Sequence, residues 1–485
     1  MTMDRAAWEE RLGEALADTL GVEAVPTDVR FAELGLTSLG GLRFLDSIRD
    51  RIGVELALVD LFEHPTLAAL ARACEPRRAG APPAIAPAPA APSHPLSPLQ
   101  LSLYLLHGRA AAGDSPSLPL VIEGRGAPPA AAKMHAAFEQ VVERHEPLRT
   151  AFREIDGMPR QIVLPASQAA HEFGFADLTR HPRPLAALAE QYRDVAGRPF
   201  ALAEGGTARL RLAHLPEERW ALLISAHHIV SDSFTPDRIA RDLAAFVEGR
   251  PPAPLPFQYK DYVYWLDAWC AGPEGLAAAD FWRGALARML PAEPARGDLA
   301  TAWRERRLEL GPPAGASLAA HLLAAMATAL RRWDGRDDRT IGLAVSTRDV
   351  ALAGETIGPF VNTLPIRVAT PADRAAIEVD LARALAHKQL PVERIAEAAG
   401  LAGPLFDVGL SIEERAPPGE LEAALRARSA ASEATVVPIL FLFAHDGSSA
   451  MLRLRYRTDS HSSDDIDQLL TLVSETLDKD TKMTA

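Results

Sequence analysis

Three segments within the first 75 residues carry apolar side chains at helical spacing, which predicts three amphipathic helices. Their apolar positions are Trp8, Leu12, Leu16 and Leu20 in the first segment, Leu39, Leu42, Leu45, Ile48 and Ile52 in the second, and Leu67, Leu70 and Ala71 in the third. The second helix is expected to begin at Ser38. Three such helices in so short a segment predict a small helical bundle.

The next twenty residues, 76–95, contain seven prolines and seven alanines. Such a composition cannot build a hydrophobic core. It predicts a semi-stiff, extended spacer that reaches about 60 Å at about 3 Å per residue.

From residue 96 to the C-terminus, helical patterns alternate with strand-like apolar runs. The helical patterns cover residues 130–144, 185–196 and 318–333, and the strand-like runs cover residues 118–122, 220–226, 340–346 and 451–456. This alternation predicts α/β layers. Because the 390 residues of this region exceed one comfortable core, we expect two lobes.

One strand-turn-helix segment in this region carries the candidate chemistry. A predicted buried strand, residues 220–226, leads to His227 and His228, and Asp232 follows four residues later. Thr235 is predicted as the N-cap of the next helix. A titratable side chain at such a turn can remain accessible to a substrate, so this turn is the candidate active site.

The same residues could serve structure alone. Adjacent side chains on a strand point to opposite faces, so at most one of the two histidines faces a given cleft. A metal site is not predicted, because no third and fourth ligand stand at familiar spacing and the two cysteines, Cys74 and Cys270, lie far away in sequence.

Composition and charge narrow the classes of partner and compartment. Of the 485 residues, 48% are apolar and 24% charged, and the net charge of −13 disfavours nucleic acid and anionic membranes as partners. Residues 1–75 contain fourteen acidic and seven basic residues, which predicts binding to basic patches on other proteins. Acidic residues stand where a signal peptide needs an apolar core, and no apolar run is long enough to cross a bilayer. With only two cysteines, these features predict a cytoplasmic protein.

Ser38 can be interpreted in two ways. It is a good helix N-cap, and a hydroxyl at a helix N-terminus also stands in a positive field suited to a phosphate group. The segments FAELGLTSLGGLRFLDSI and LVDLFEHPTLAALA resemble an acyl or peptidyl carrier domain, whose motif normally has Asp or His in place of Thr37. The resemblance implies a four-helix-type carrier bundle over residues 1–75, with 4′-phosphopantetheine attached covalently to Ser38 by a phosphopantetheinyl transferase.

Six ordered segments further along resemble the signatures of the condensation domain of nonribosomal peptide synthetases. They are SPLQLSLY from Ser97, RHEPLRTAF from Arg144, HHIVSDS from His227, YKDYVYW from Tyr259, IGPFVNTLPIR from Ile357 and HKQLPVE from His387. In the first, Ser102 and Tyr104 replace the usual Arg and Trp. The resemblance implies a two-lobed α/β fold, like that of chloramphenicol acetyltransferase, over residues 96–485, with lobes at about 96–268 and 269–485.

This resemblance implies an acyltransferase. The family joins an acyl or peptidyl chain, held as a thioester on a carrier's phosphopantetheine arm, to an amine or, in some members, a hydroxyl. His228, the second histidine, would take the nucleophile's proton or position the nucleophile. Asp232 would form a structural ion pair with Arg348.

Four further positions follow from the same signatures. His227 and Arg149 are expected to serve local structure, and Asn362 belongs to the fifth signature. Ser233 stands where the family has a glycine. A glycine there would permit a positive φ and keep the channel beside the histidine open, whereas serine adds a Cβ and a hydroxyl.

Two other functions share some of these signatures. An epimerase has the two histidines but normally continues with a Ser-Trp-Arg element, where this chain has Ser233-Phe-Thr. The second alternative function is that of a noncatalytic platform that recruits enzymes to the carrier. Since the carrier region precedes the condensation region, the expected partners are an upstream synthase module or carrier that supplies the acyl chain, and a free amine or alcohol or an acceptor carrier in trans.

Overall fold

The computed structural model describes residues 5–31, 33–34, 36, 38–52, 61, 64–74, 85–109, 117–287, 289, 291–292, 301–309, 317–348, 353–414, 421, 425, 437–445 and 449–483. Thr37, residues 76–84 of the predicted spacer and the side chain of Ser38 lie outside this description. Its helices and strands are numbered here in chain order.

The N-terminal region forms the three predicted helices. They are α1 (Arg5–Leu20), α2 (Ser38–Ile52) and α3 (Leu67–Cys74). Their apolar faces meet in one core that includes Leu12, Leu16, Phe44, Ile48 and Leu67, all without exposed surface. Most of the predicted apolar positions whose side chains are described are buried: Trp8, Leu12, Leu16, Leu45, Ile48, Leu67, Leu70 and Ala71.

The first lobe of the following region contains two sheets. Its elements are β1 (His94–Pro95), α4 (Pro98–Arg109), β2 (Ser117–Arg125), α5 (Ala131–Arg144), β3 (Thr150–Ile155), β4 (Met158–Val163), β5 (Glu172–Asp177), α6 (Pro184–Gly197), β6 (Ala208–Leu215), β7 (Arg219–His227) and α7 (Thr235–Val247). The larger sheet has the order β2-β7-β6-β5, and the smaller has β1-β4-β3. Helices α5 and α7 cover one face of the larger sheet and α6 covers the other, so β7 is buried on both faces.

The second lobe is built on a six-stranded sheet of order β10-β9-β11-β12-β13-β8. Its elements are α8 (Tyr259–Ala271), α9 (Pro273–Ala285), β8 (Thr301–Glu309), α10 (Leu318–Asp334), β9 (Asp338–Ser346), β10 (Val361–Ala369), α11 (Arg374–Ala386), α12 (Val392–Ala399), β11 (Val408–Glu414), β12 (Ile439–His445), β13 (Ser449–Arg457) and α13 (Ser463–Met483). Side chains of the five helices α9, α10, α11, α12 and α13 and of this sheet form one hydrophobic core. The predicted lobe boundary at about residue 268 falls inside α8, a continuous helix.

The predicted spacer does not extend freely over its whole length. From residue 85 on it lies against α8: Ile85 packs on the aromatic cluster around Tyr259 and Tyr262, and the backbone N–H of Ala88 donates to the Asp261 carboxylate at 2.8 Å. The composition of the segment indicated that it builds no hydrophobic core of its own. It did not indicate that Ile85 packs into the core beside α8.

Candidate active site

The two adjacent histidines lie where β7 ends. The strand forms in the middle of its sheet because residues 221–226 are apolar or small and are covered from both sides. A single 3-10 turn, His228–Val230, follows the strand, and α7 begins five residues later. The two side chains therefore leave the sheet in different directions and have different surroundings.

His227 is fully buried and held by two hydrogen bonds. Its Nδ1 accepts from the backbone N–H of Ile229 at 3.0 Å, and its Nε2 lies 3.2 Å from Nδ1 of His107. Because Nδ1 accepts, the ring proton is on Nε2, which donates to His107. Burial holds the pKa of His227 well below its usual value, so the ring is neutral. These contacts fit the local structural role expected for this residue.

His228 is half-buried, and its Nδ1 lies 2.6 Å from the backbone oxygen of Ser231. A carbonyl oxygen only accepts, so Nδ1 carries the proton and the lone pair of the neutral ring is on Nε2. Ser231 is fixed in turn, since its hydroxyl donates to the backbone oxygen of His227 at 2.9 Å. The turn therefore presents one imidazole nitrogen that can accept a proton.

Asp232 is buried next to this turn and paired with an arginine from the second lobe. Nε of Arg348 lies 2.8 Å from one carboxylate oxygen of Asp232, and Nη2 lies 2.9 Å from the other. The backbone N–H groups of Phe234, Thr235 and Phe360 also donate to this carboxylate, each at 3.2 Å. Every lone pair of the carboxylate is engaged, so Asp232 is not available as a base.

Arg348 extends this attachment to the segment before β10. Its Nη1 donates to the backbone oxygens of Ala353 and Thr356, and its Nη2 donates to that of Gly358. Gly358 is required here for space, because a Cβ at this position would lie 2.0 Å from the ring of Tyr259. The third, fourth and fifth signatures of the sequence thus form one packed unit around Arg348.

The start of α7 differs from the expectation by one residue. Thr235 is not the N-cap but the first residue of the helix, and its N–H and hydroxyl both donate to the Asp232 carboxylate. A threonine directly before Pro236 has the sequence pattern of an N-cap. The carboxylate three residues earlier takes that role because the ion pair with Arg348 already holds it beside the helix.

Ser233 needs no glycine-like backbone. Its φ is not positive and its side chain is exposed to solvent, so the turn accepts a Cβ here without strain. The next residue, Phe234, lies under the guanidinium of Arg348, with 4.7 Å between Cζ and the ring centroid. The positive φ that a glycine would permit at residue 233 is therefore not used by this chain.

The two remaining predicted positions lie away from the histidine turn. Arg149 donates from Nη1 to the backbone oxygen of Leu164 at 2.6 Å, a local contact. Asn362 donates to the backbone oxygens of Lys388 and Leu390 and accepts from the N–H of Val392. Asn362 thus joins β10 to the sixth signature.

The second signature anchors α7 through a residue that the sequence analysis missed. Asp242, fully buried on α7, accepts hydrogen bonds from Nε2 of His145 at 2.7 Å and from Nε of Arg144 at 3.2 Å, and it also pairs with Arg238. Burial alone would raise the pKa of the Asp242 carboxyl, but the hydrogen bonds from His145 and Arg238 outweigh it and lower this pKa to about 2. The only sequence signal for this role of Asp242 was its spacing of four residues from Arg238, which places both side chains on one face of α7.

Replacing Asp242 by asparagine is expected to destabilise the protein by about 2 kcal/mol at pH 7, since its pKa falls from 3.8 to about 2 on folding. A lowered carboxyl pKa stabilises the fold above pH 3.8, and this contribution is lost as the pH falls through about 2. Urea unfolding from pH 7 to pH 2 should therefore show a gap between wild type and Asp242→Asn that closes on acidification. Asp280→Asn, at an exposed ion pair, should unfold like wild type at every pH.

Ser38 is the first residue of α2. The backbone N–H groups of the first helical turn have no acceptor within the helix and face its N-terminus. This arrangement suits a phosphate ester on the residue that opens the helix. The position of Ser38 therefore fits phosphopantetheine attachment.

Among the residues that the structure describes, no three His, Cys, Asp or Glu side chains are placed to hold a metal ion. Within the same residues, no helix has both the length and the apolar character needed to cross a bilayer.

Two models of known protein families match the chain. Residues 91–483 match the family model described as "Condensation domain", and residues 10–74 match "Phosphopantetheine attachment site". The chain is 32% identical over 434 residues to a probable non-canonical nonribosomal peptide synthetase, CymA, of Salinispora arenicola, covering 81% of this chain and 5% of CymA. It is 30% identical over 473 residues to a dimodular nonribosomal peptide synthase of Bacillus subtilis, covering 88% of this chain and 20% of that protein.

The fold is also similar to solved structures. The X-domain from teicoplanin biosynthesis superimposes with a TM-score of 0.68 at 25% identity, covering 82% of this chain and 97% of the X-domain. The present chain spans a fifth or less of the length of the two relatives above.

Proposed function

The chain belongs to the condensation-domain family and carries a phosphopantetheine-attachment domain ahead of it, and from this premise we propose that His228 is the proton acceptor of an amide-forming acyl transfer. Condensation domains act on thioester-bound substrates, and membership of this family supports a condensation-type acyltransferase. The relatives named above are peptide synthetases, which supports an amine as the nucleophile. An alcohol would give an ester at the same site.

The observation that carries this proposal is the hydrogen bond between Nδ1 of His228 and the Ser231 carbonyl. It fixes the proton on Nδ1 and leaves Nε2 as an acceptor. Nε2 takes the proton of the amine as its nitrogen bonds to the acyl carbon, and the proton then goes to the sulfur that leaves. The Ser231 oxygen also stabilises the positive charge that the ring carries between these two transfers.

The other residues of the turn hold His228 in place. Asp232 and Arg348 fix the start of α7 and the segment before β10. Acyl transfer from an activated thioester needs mainly two aligned substrates and one well-placed proton acceptor. We assign positioning rather than proton transfer to Asp232 and Arg348, because their polar groups already have partners.

Phosphopantetheine, once attached, supplies a thiol on a flexible arm that carries the acyl chain. Ser38 is the proposed attachment residue, and a phosphopantetheinyl transferase is the proposed modifying enzyme. An upstream module or carrier is proposed to supply the acyl chain, and a free small amine or an acceptor carrier in trans is proposed to receive it. We also propose a cytoplasmic location, supported by two cysteines that are both free thiols.

Ser38→Ala is expected to abolish covalent modification completely, because no other hydroxyl begins α2. The measurement is intact mass after incubation with coenzyme A and a phosphopantetheinyl transferase. Wild type should gain the mass of one phosphopantetheine group. The matched control Ser47→Ala, in the same helix, should gain it as well; modification of Ser38→Ala would place the cofactor elsewhere.

Turnover by the modified protein tests the function itself. The chain is loaded with a series of acyl groups and mixed with candidate amines and alcohols, and products are identified by mass spectrometry. We expect amides. Esters alone would change the assigned nucleophile, α-proton exchange in deuterated water would indicate an epimerase, and no product from any pair would favour a platform that recruits other enzymes.

A further inference from the structure

A cavity of about 320 Å³ lies beside α4, on the side of the active-site turn where His227 is buried. We call it the α4 cavity. Three residues of α4 (Tyr104, His107 and Gly108), Phe152 of β3 and the segment 200–204 line it. Its volume is at the lower end of the range of small-molecule sites in proteins.

The wall formed by residues 200–204 is built rigidly. The guanidinium of Arg209 lies over the ring of Phe200, 3.9 Å from its centroid, and donates to the backbone oxygen of Arg198 at 2.6 Å. Arg153 donates to the backbone oxygen of Ala203 at 2.7 Å. Because these contacts fix the wall, the cavity is a preformed space rather than a gap between loose segments.

The α4 cavity shares its walls with the active-site turn. Phe152, Phe200 and Leu202 belong to the same buried cluster as Ile229 and Val230, the last two residues of the turn that His228 begins. A group bound in the cavity would therefore pack against the elements that position His228.

His107 contributes one directional polar group to this apolar space. Its Nδ1 accepts the proton of His227 Nε2, as described above, so a neutral His107 carries its own proton on Nε2. Burial lowers the pKa of His107, which favours the neutral ring. Nε2–H is thus a hydrogen-bond donor without a charge.

Gly108 adds room to the cavity. A Cβ built on Gly108 would meet no atom within 4 Å, and its φ is not in the left-handed region. A glycine inside a helix is less favourable than alanine by about 1 kcal/mol. Neither the backbone conformation nor the packing of described residues therefore requires a glycine at position 108.

The chemistry of the lining defines the kind of ligand. Three aromatic rings, those of Tyr104, Phe152 and Phe200, suit another ring. The exposed carboxylate of Glu204 disfavours an anion at the rim. A charged substituent next to His107 would lose hydration without gaining a counter-charge, because that ring is neutral.

We propose that the α4 cavity binds a neutral aromatic group whose oxygen accepts a hydrogen bond from Nε2–H of His107. The group has two conceivable sources: the ring of a substrate, which rests on the proposed function, or a separate small molecule that packs against the active-site turn. The binding site itself depends on neither.

4-Fluorobenzamide is a suitable probe, because it has one ring and one carbonyl oxygen. Binding to the full chain is followed by line broadening of the fluorine resonance, and we expect a dissociation constant on the order of millimolar for so small a ligand. Gly108→Phe should weaken binding by about tenfold or more, since the new ring occupies the space. The matched variant Gly108→Ala should bind as wild type does. His107→Phe keeps a ring but lacks the donor, and it should weaken binding about three- to tenfold.

Thermal unfolding shows whether each variant is folded, and His228→Ala should retain binding, so the outcome is separate from the proposed catalytic role. Wild type without broadening at about 10 mM probe, or equal binding by folded wild type and Gly108→Phe, would overturn the proposal. Adding the probe during turnover identifies the source. Competition with an aromatic substrate assigns the cavity to that substrate, and binding without competition assigns it to a separate ligand.

Discussion

His228→Ala is expected to lower kcat by about 10²- to 10⁴-fold, the usual contribution of a positioned proton acceptor, while the protein remains folded. The side chain is half-buried and bonds only to the Ser231 carbonyl among described residues, so its removal leaves no buried charge. The measurement is the initial rate of product formation by fully loaded protein, with thermal unfolding recorded on the same sample.

His228→Gln separates proton transfer from positioning. A glutamine oxygen can accept a hydrogen bond from the nucleophile, but it cannot take its proton at neutral pH. We expect Gln and Ala at this position to be similarly slow, and the exposed His181→Ala to be as fast as wild type. Recovery of most of the rate by Gln would show that His228 only positions the nucleophile, and an unchanged rate in folded His228→Ala would remove it from the mechanism.

Asp232→Ala is expected to lower the free energy of unfolding by about 3 to 5 kcal/mol, because it leaves the guanidinium of Arg348 buried without a counter-charge. It also removes the acceptor for the N–H groups of Thr235 and Phe360. Urea unfolding at pH 7 measures the loss. A variant this unstable should also have low activity, through displacement of the active-site turn.

Asp338→Ala is the matched control for this measurement. Asp338 and Arg367 form an ion pair of the same type, but both side chains are about half exposed, and its loss should change stability by less than about 1 kcal/mol. If Asp232→Ala unfolded like wild type and yet lost its activity, Asp232 would have a direct catalytic role instead of the structural one assigned here.

The helices and strands could largely be predicted from the sequence, because an element that buries one face has apolar residues at regular spacing. The run at residues 220–226 became β7, and the helical pattern at residues 318–333 became α10. The β3–β4 hairpin, Thr150–Ile155 and Met158–Val163, was missed, since it has no clear alternation of apolar and polar positions.

The candidate site was accessible only in part. Residues close in sequence, such as His227, His228 and Asp232, could be identified together. The spacing of apolar residues does not show which side chains distant in sequence contact them. His145 and Asp242 are 97 residues apart, and the pair of Asp232 with Arg348 came from the family resemblance rather than from spacing. The α4 cavity is a volume that no side chain fills, so no single residue in the sequence indicates it.

The attachment of residues 85–95 to α8 determines where this condensation domain can be cut and grafted. A graft that began at residue 96 would remove Ile85 from the aromatic cluster and leave the Asp261 carboxylate without the Ala88 N–H. Eleven Cα–Cα steps separate Cys74 from Ile85 in the sequence, and they bridge at most about 40 Å at ~3.6 Å per residue. An exchange that starts at residue 75 keeps the contacts of Ile85 and Ala88 and also the full length of the connecting segment.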